Sequence, residues 1–404
     1  MKRTNIYDKC KKEGTFLKEF CDLCKSIPTP EIFDFWQGMY LLSSLTDRHL
    51  AIEVEDKLYF PNLYTMFISD NSSIFEDAQG ILEDVERLHE ESNHTFINTY
   101  TSPSSFVAMM SERSDKSKRN CIRIAVSSMN VFCRSKDCVN MLTDLYSCPV
   151  TRSGYDGKNK YTYGDVFITF NGKCCASDYF NNVDKNFYDN EFLARVITIA
   201  ANKTKIPEKG KYNNYTETRK LIDTYKEKTK TPVFLTYEPF AVRVLKRFAR
   251  NNSSKRYGAR PYELAIKLSG LLAFNEGSET ITTQHVKDAY KLIEAVTRQL
   301  NIFITKREFE ENNRQYNDAI KKILSIISAS GENGIGHFEV YQKVRYYITN
   351  EEFSQIMAIL FEYGFITKYM HMNGKATIYA PNENTDKLDA KKSVQIIKLL
   401  LSSD

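Results

Sequence analysis

Four short apolar runs constrain this chain most: Tyr64–Ile68, Cys121–Val126, Val166–Asn171 and Leu193–Ala200. Each has the length of a strand. They are mainly apolar, the pattern of core strands covered on both faces. Stretches of helical periodicity lie between them, at 75–91, 103–112 and 135–148, with a further short strand at 93–101. Apolar strands alternating with helices predict an α/β fold with a sheet buried between helical layers. Before the sheet, 15–48 reads as two helices separated by Pro28 and Pro30, and 51–60 as a hairpin strand. From 215 to 303 the pattern reads as entirely helical.

A chain of 404 residues has room for two or three domains. The expected divisions are a helical N-terminal region (1–50), an α/β core (51–205), a helical lid (206–305), a compact C-terminal domain (316–381) and a tail (382–404). Lys306 to Arg314 reads as a linker or a helix extension. No run of about 18 apolar residues predicts a membrane span, and the basic N-terminus lacks a signal-peptide core. Nine cysteines in apolar contexts suit a reducing, cytoplasmic setting rather than a disulfide framework.

Residues Leu58 to Ala78, LYFPNLYTMFISDNSSIFEDA, carry the strongest local motif: turn, apolar strand, polar loop, amphipathic helix. This is the plan of a P-loop, in which backbone N–H groups and a helix N-terminus cradle phosphate. The loop should be glycine-rich and end in Lys and Ser/Thr. Here it contains Ser69, Asp70, Asn71, Ser72, Ser73, Ile74, Phe75 and Glu76, and no GxxxxGK[ST] occurs anywhere in the chain.

The order FPNLYTMFIS, CIRIAVSSMNVF, GDVFITFNG, DNEFLARVITIA, GARPYELAIKLSGLLAF and TITTQHVKDAYKLIEAV resembles an AAA+ module. It is similar to the helicase half of phage and mobile-element primase–helicases, and more distantly to MCM helicases. The resemblance covers about Pro30 to Leu300 and rests on order and spacing. It implies an AAA+-like P-loop sheet with a helical lid. It places Phe75 where the family has its phosphate-binding Lys and Glu76 where the metal-binding Ser/Thr belongs. Ser127 and Ser128 stand at the Walker B acids, and hydroxyls make poor bases near neutral pH. Asn171 occupies the sensor 1 position at a strand end, Arg195 the arginine-finger position and Arg260 the start of the sensor 2 helix. An alternative for Arg195 is an ion pair with Glu191 or Asp189. The competing fold reading is an α/β protein without P-loop ancestry.

The net charge of +5 is mild but unevenly spread. Arg243, Lys246, Arg247, Arg250, Lys255, Arg256 and Arg260 form a dense basic cluster, which is either a polyanion surface or a solvated helix face. The turn TRSGYDGKNKYTYGD brings Lys158 and Lys160 among tyrosines, a phosphate-plus-stacking composition. MCM-like proteins insert a DNA-touching hairpin here; an ordinary exposed turn is the other reading. From Tyr316 onward, three helices precede two strands around Asn373-Gly374, with Asn350 as a helix cap and Gly364 as a helix stop. That is the winged-helix order, and its charges are balanced. The tail from Lys387 reads as an amphipathic helix. Cys21-x-x-Cys24 lacks a second pair, and Cys174-Cys175 reads as packing after a strand.

Together these readings lead to a catalytically degenerate AAA+/MCM-like replication protein of a phage or mobile element, without cofactor or metal. Its expected partners are DNA, a Walker-competent helicase and copies of itself, but no membrane. The alternatives are a winged-helix regulator or defence protein whose α/β domain mediates assembly, and an ATPase with an atypical loop.

Overall fold

The computed structural model describes residues 5–25, 29–69, 95–97, 103–115, 120–126, 129, 132, 136–156, 159–179, 191–201, 215–252, 261–370, 377–382 and 384–385. The chain divides into two compact units, Met1–Phe303 and Ile304–Asp404. The sequence-predicted helix at 75–91, the Asn373-Gly374 turn and the tail helix lie outside the described residues.

In the first unit, strands β1 (Leu50–Val54) and β2 (Lys57–Tyr59) form a hairpin. The main sheet follows: β3 (Tyr64–Ser69), β4 (Thr95–Ile97), β5 (Asn120–Val126), then the hairpin β6 (Thr151–Asp156) and β7 (Asn159–Gly164), β8 (Val166–Cys175) and β9 (Val196–Ala201). Five of these strands are all parallel, in spatial order β4-β5-β8-β3-β9. The register pairs Tyr64 with Phe170 and Val196, and Ser69 with Cys175 and Ala201.

Alternate side chains meet different helices. Phe67 packs edge-on against Phe33 of the helix Glu31–Thr46, and Thr169 Oγ1 lies 3.0 Å from Ser44 Oγ of the same helix. On the other face, Tyr64 donates to the Leu142 carbonyl of the helix Lys136–Leu145. Phe170 there packs among Phe132, Phe192 and Tyr64. Burial from both sides is why these strands are mainly apolar, and their polar residues Thr65, Arg123, Thr169 and Asn171 are themselves buried. Two boundaries differ from the sequence reading. β8 runs on to Cys175, so Cys174 and Cys175 belong to the strand. Leu193–Arg195 is a short 3-10 turn, and the strand begins at Val196.

The stretch 215–303 is not entirely helical. Between the helices Tyr215–Thr229 and Pro239–Asn252 lies β10 (Val233–Tyr237), and β11 (Thr280–Ile281) precedes the next helix. β10 pairs in parallel with β1 and with β11, giving a second sheet of order β11-β10-β1-β2. A run of five residues is too short for period to separate strand from helix; its pairing partner is some 180 residues away in sequence. The helix Pro261–Asn275 is buried along most of its length. A Cβ at Gly270 would stand 2.2 Å from Ile52 Cδ1, so a larger residue here would force the Ile52 side chain of β1 to shift.

The long helix Thr283–Ala329 includes Lys306 to Arg314, which is therefore a helix extension rather than a loop. Its C-terminal part opens the second unit, followed by β12 (Ile335–Gly336), the helices His337–Val344 and Asn350–Glu362, and the hairpin β13 (Ile366–Met370) with β14 (Thr377–Pro381). β12 pairs with β14 and makes the sheet three-stranded, an addition to the sequence reading. The cap of the helix Asn350–Glu362 is Thr349, not Asn350. Thr349 Oγ1 accepts from the Glu352 N–H, and the Glu352 carboxylate accepts from the Thr349 N–H, a reciprocal capping box. Gly364, at φ +68°, ends the helix. Tyr316 also donates to Glu352, at 2.6 Å.

Candidate functional site

The strand order locates a crevice. From β3 the chain moves to the far edge at β4, returns through β5 to β8 beside β3, then passes to β9 on the other side. Connections therefore leave β3 and β8 in opposite directions, and in open α/β sheets ligands bind outside the carboxyl ends of strands at such a switch point. Here that point is Ser69. The residues that end the five strands are Ser69, Ile97, Val126, Cys175 and Ala201, all uncharged. Ser72, Ser73, Phe75, Glu76, Ser127 and Ser128 lie outside the described residues, as do Arg260, Lys158, Lys255 and Arg256.

Asn171 is not at a strand end; β8 continues four residues beyond it. It lies opposite Thr65 in the register, on the face covered by the helix Glu31–Thr46, and is 1% exposed. Its Oδ1 is 3.4 Å from Thr65 Oγ1, and its Nδ2 has no acceptor among the described residues. A buried amide nitrogen without an acceptor costs free energy, on the order of 1–3 kcal/mol.

Arg195 lies at the other edge, just before Val196, which is level with Tyr64 at the start of β3. Its guanidinium is 8% exposed and donates to the Glu191 carbonyl at 2.6 Å and the Glu191 carboxylate at 3.1 Å. The pair with Glu191, the alternative that the sequence offered for Arg195, is present. The same amino-terminal edge holds a polar knot that the sequence did not announce. Lys267, from the helix Pro261–Asn275, is 1% exposed and donates to Asn62 Oδ1 at 2.6 Å and to the Tyr146 carbonyl at 3.1 Å. Its ammonium sits 3.4 Å from the centre of the Tyr146 ring, with Glu263 at 3.6 Å. Burial pulls its pKa down to about 8, against the opposing pull of Cys148 and Glu263. Asn62 Nδ2 in turn donates to the carbonyls of Tyr146 and Ile168, and Arg48 donates to those of Cys148 and Val166. The one sequence signal for this knot was a single Lys inside the apolar run of Leu264 to Ala273.

The basic helix Pro239–Asn252 is amphipathic. Ala241 and Leu245 are buried and Phe248 stacks on Tyr290, while Arg243, Arg247 and Arg250 are exposed on the opposite side. Lys246 is paired with Glu55 of the β1–β2 turn in an exposed ion pair. Lys160 lies in β7 of the β6–β7 hairpin, whose base is held by Ser111 and Ser114 of the helix Pro103–Asp115. Cys21 and Cys24 are buried in the helix Phe16–Cys24. Burial pushes the Cys21 thiol up to about 12 and the Cys24 thiol further, so both remain protonated. Among the described residues no group of three His, Cys, Asp or Glu is placed to hold a metal ion, and no helix is long and apolar enough to cross a membrane.

The sequence matches no protein-family model, and no curated protein matches it.

Proposed function

We propose that the first unit is a degenerate AAA+-like P-loop module that works in DNA replication of a phage or mobile element by binding DNA, an active helicase partner, or both. The observation that carries this reading is the position of β3. It is the first strand of the parallel sheet, lies between β8 and β9, and ends at the switch point, where the polar sequence SDNSSIF begins. A phosphate loop belongs at that place, and the residues that would hold triphosphate and magnesium are missing from the sequence: Phe75 and Glu76 replace Lys and Ser/Thr, and Ser127 and Ser128 replace two acids. The exposed Arg243 and Arg247 support a polyanion surface. In the second unit, the helix–strand–helix–helix–hairpin order supports a winged helix. Its helix Asn350–Glu362 carries three Glu and no Lys or Arg, which favours protein docking over a phosphate backbone.

Each charge-assisted hydrogen bond to phosphate is worth about 1.5–3 kcal/mol. Loss of the Lys, together with the Ser/Thr and acids that hold magnesium against the phosphates, removes several such contacts and weakens binding by about 10³-fold. Titration calorimetry of the full chain with Mg-ATP is therefore expected to detect no binding below about 1 mM. Micromolar binding, or steady ATP hydrolysis, would overturn the degenerate reading in favour of an ATPase with an atypical loop.

A further inference from the structure

The second unit contains a groove of about 890 Å³ between the helices His337–Val344 and Asn350–Glu362 and the β13–β14 hairpin. Its wall combines apolar side chains, Phe338, Met357 and Phe361, with Glu339, Glu362 and Lys368. Phe338 is 68% exposed and Phe361 48%, which is unusual for aromatic residues that share one concavity. Both carboxylates are on exposed residues, and the helix that forms one wall carries no positive charge. The groove therefore suits an apolar segment edged with lysines.

Such a segment follows in the same chain. Residues 387–401 read KLDAKKSVQIIKLLL, with four lysines and one aspartate. At helical spacing Val394, Ile397 and Leu401 fall on one face, with Lys391 and Lys398 beside it. The chain reaches this segment next to the groove. Asn382 Nδ2 donates to the Gly364 carbonyl at 2.7 Å, and Thr385 Oγ1 to the Phe365 carbonyl at 2.6 Å. These bonds fix the last described residue at the end of the helix whose Phe361 and Glu362 line the groove. From Thr385 to Val394 the chain can span at most about 30 Å, ample for a site that begins there.

We propose that this groove is the docking site for the chain's own basic, apolar tail, residues 387–401, bound in cis. The proposal is independent of the reading of the α/β unit. A tethered tail acts at a local concentration of about 1 mM, so it outcompetes micromolar amounts of the same sequence added free. The test uses a fluorescein-labelled peptide of residues 386–404 and reads anisotropy against two proteins, the full chain and a chain ending at Thr385. The truncated chain is expected to bind the peptide with micromolar affinity, at least about 10-fold tighter than the full chain. Binding should weaken with added salt and fall about 10-fold or more in the truncated chain carrying Glu339→Lys and Glu362→Lys. Both carboxylates are exposed, and an unchanged melting temperature will verify that the variant is folded. No binding by the truncated chain overturns the proposal, as does indifference to the charge reversal. Equal binding by both chains would overturn it too, since the groove would then be open in the full chain and belong to another protein or to a second copy.

Discussion

Asp34 sits in the first turn of the helix Glu31–Thr46, 6% exposed, with Thr29 Oγ1 donating to its Oδ1. Burial raises its pKa to about 7, and the Thr29 hydrogen bond only partly offsets that. The folded value lies above the ordinary one of 3.8, so the protonated carboxyl contributes stability that is complete below about pH 4. That contribution declines as pH rises and is gone above about pH 7. Asp34→Asn keeps the shape and removes the charge. The variant should match the wild type at pH 4 and exceed it at pH 8 by on the order of 2–4 kcal/mol, as a shift of about three pKa units implies. Paired thermal melts at pH 4 and pH 8 measure this, and a difference independent of pH would refute it. Lys267 is a second buried charge in an apolar helix, and it has a built environment where Asp34 has one hydroxyl. Asn62 links it to two backbone carbonyls, so the knot joins the helix Pro261–Asn275 to the start of β3 and β8. Both residues were visible in the sequence as polar interruptions of apolar runs. The long-range partners of Lys267, more than a hundred residues away, were not.

Among the elements, the helix Pro239–Asn252 makes the clearest case for polyanion binding. Its apolar face is committed to the core, and Arg243 and Arg247 stand exposed without an ion-pair partner among the described residues. Reversing both charges with Arg243→Glu and Arg247→Glu should weaken binding to any duplex sequence alike. It should also lower the salt slope of the binding constant by about 0.9 for each phosphate no longer neutralised. Anisotropy titrations across a salt series decide this. Unchanged slope and affinity would return the stripe to an ordinary solvated face. The main-sheet strands were legible because burial on both faces writes a mainly apolar run. β10 and β12 were not, since runs of five and two residues carry no decisive period and owe their conformation to strands paired from elsewhere. Capping chemistry located the helix Asn350–Glu362 within one residue. The reciprocal bond with Glu352 requires the hydroxyl of Thr349, which Asn350, already inside the helix, cannot supply. The spatial order of the parallel strands, the basis of the candidate site, is a long-range property that no local pattern encodes.

At the scale of the whole molecule, the two units have separate cores. One gathers Phe33, Phe67, Leu235 and Leu271; the other gathers Ile323, Phe353, Ile356 and Leu360, and the two groups share no residue. Cooperative unfolding follows shared burial, so each unit should melt in its own transition. Phe353 is fully buried in the second core. Phe353→Leu there removes volume and leaves a small cavity, at a cost of about 1–1.5 kcal/mol, well below that of Phe→Ala. In a unit of roughly 100 residues each kcal/mol moves the midpoint by about 4–8 °C, so the transition of the second unit should fall by about 4–12 °C. Leu271→Ala, at a fully buried site in the first core, should cost about 2–5 kcal/mol. In the larger unit each kcal/mol is worth about 2–4 °C, and that shift should be confined to the other transition. Differential scanning calorimetry of the full chain and the two variants reads both at once. Two transitions, each moved by one substitution alone, are expected. A single transition lowered by either substitution would mean that the two cores unfold as one cooperative body although they share no buried residue among those described.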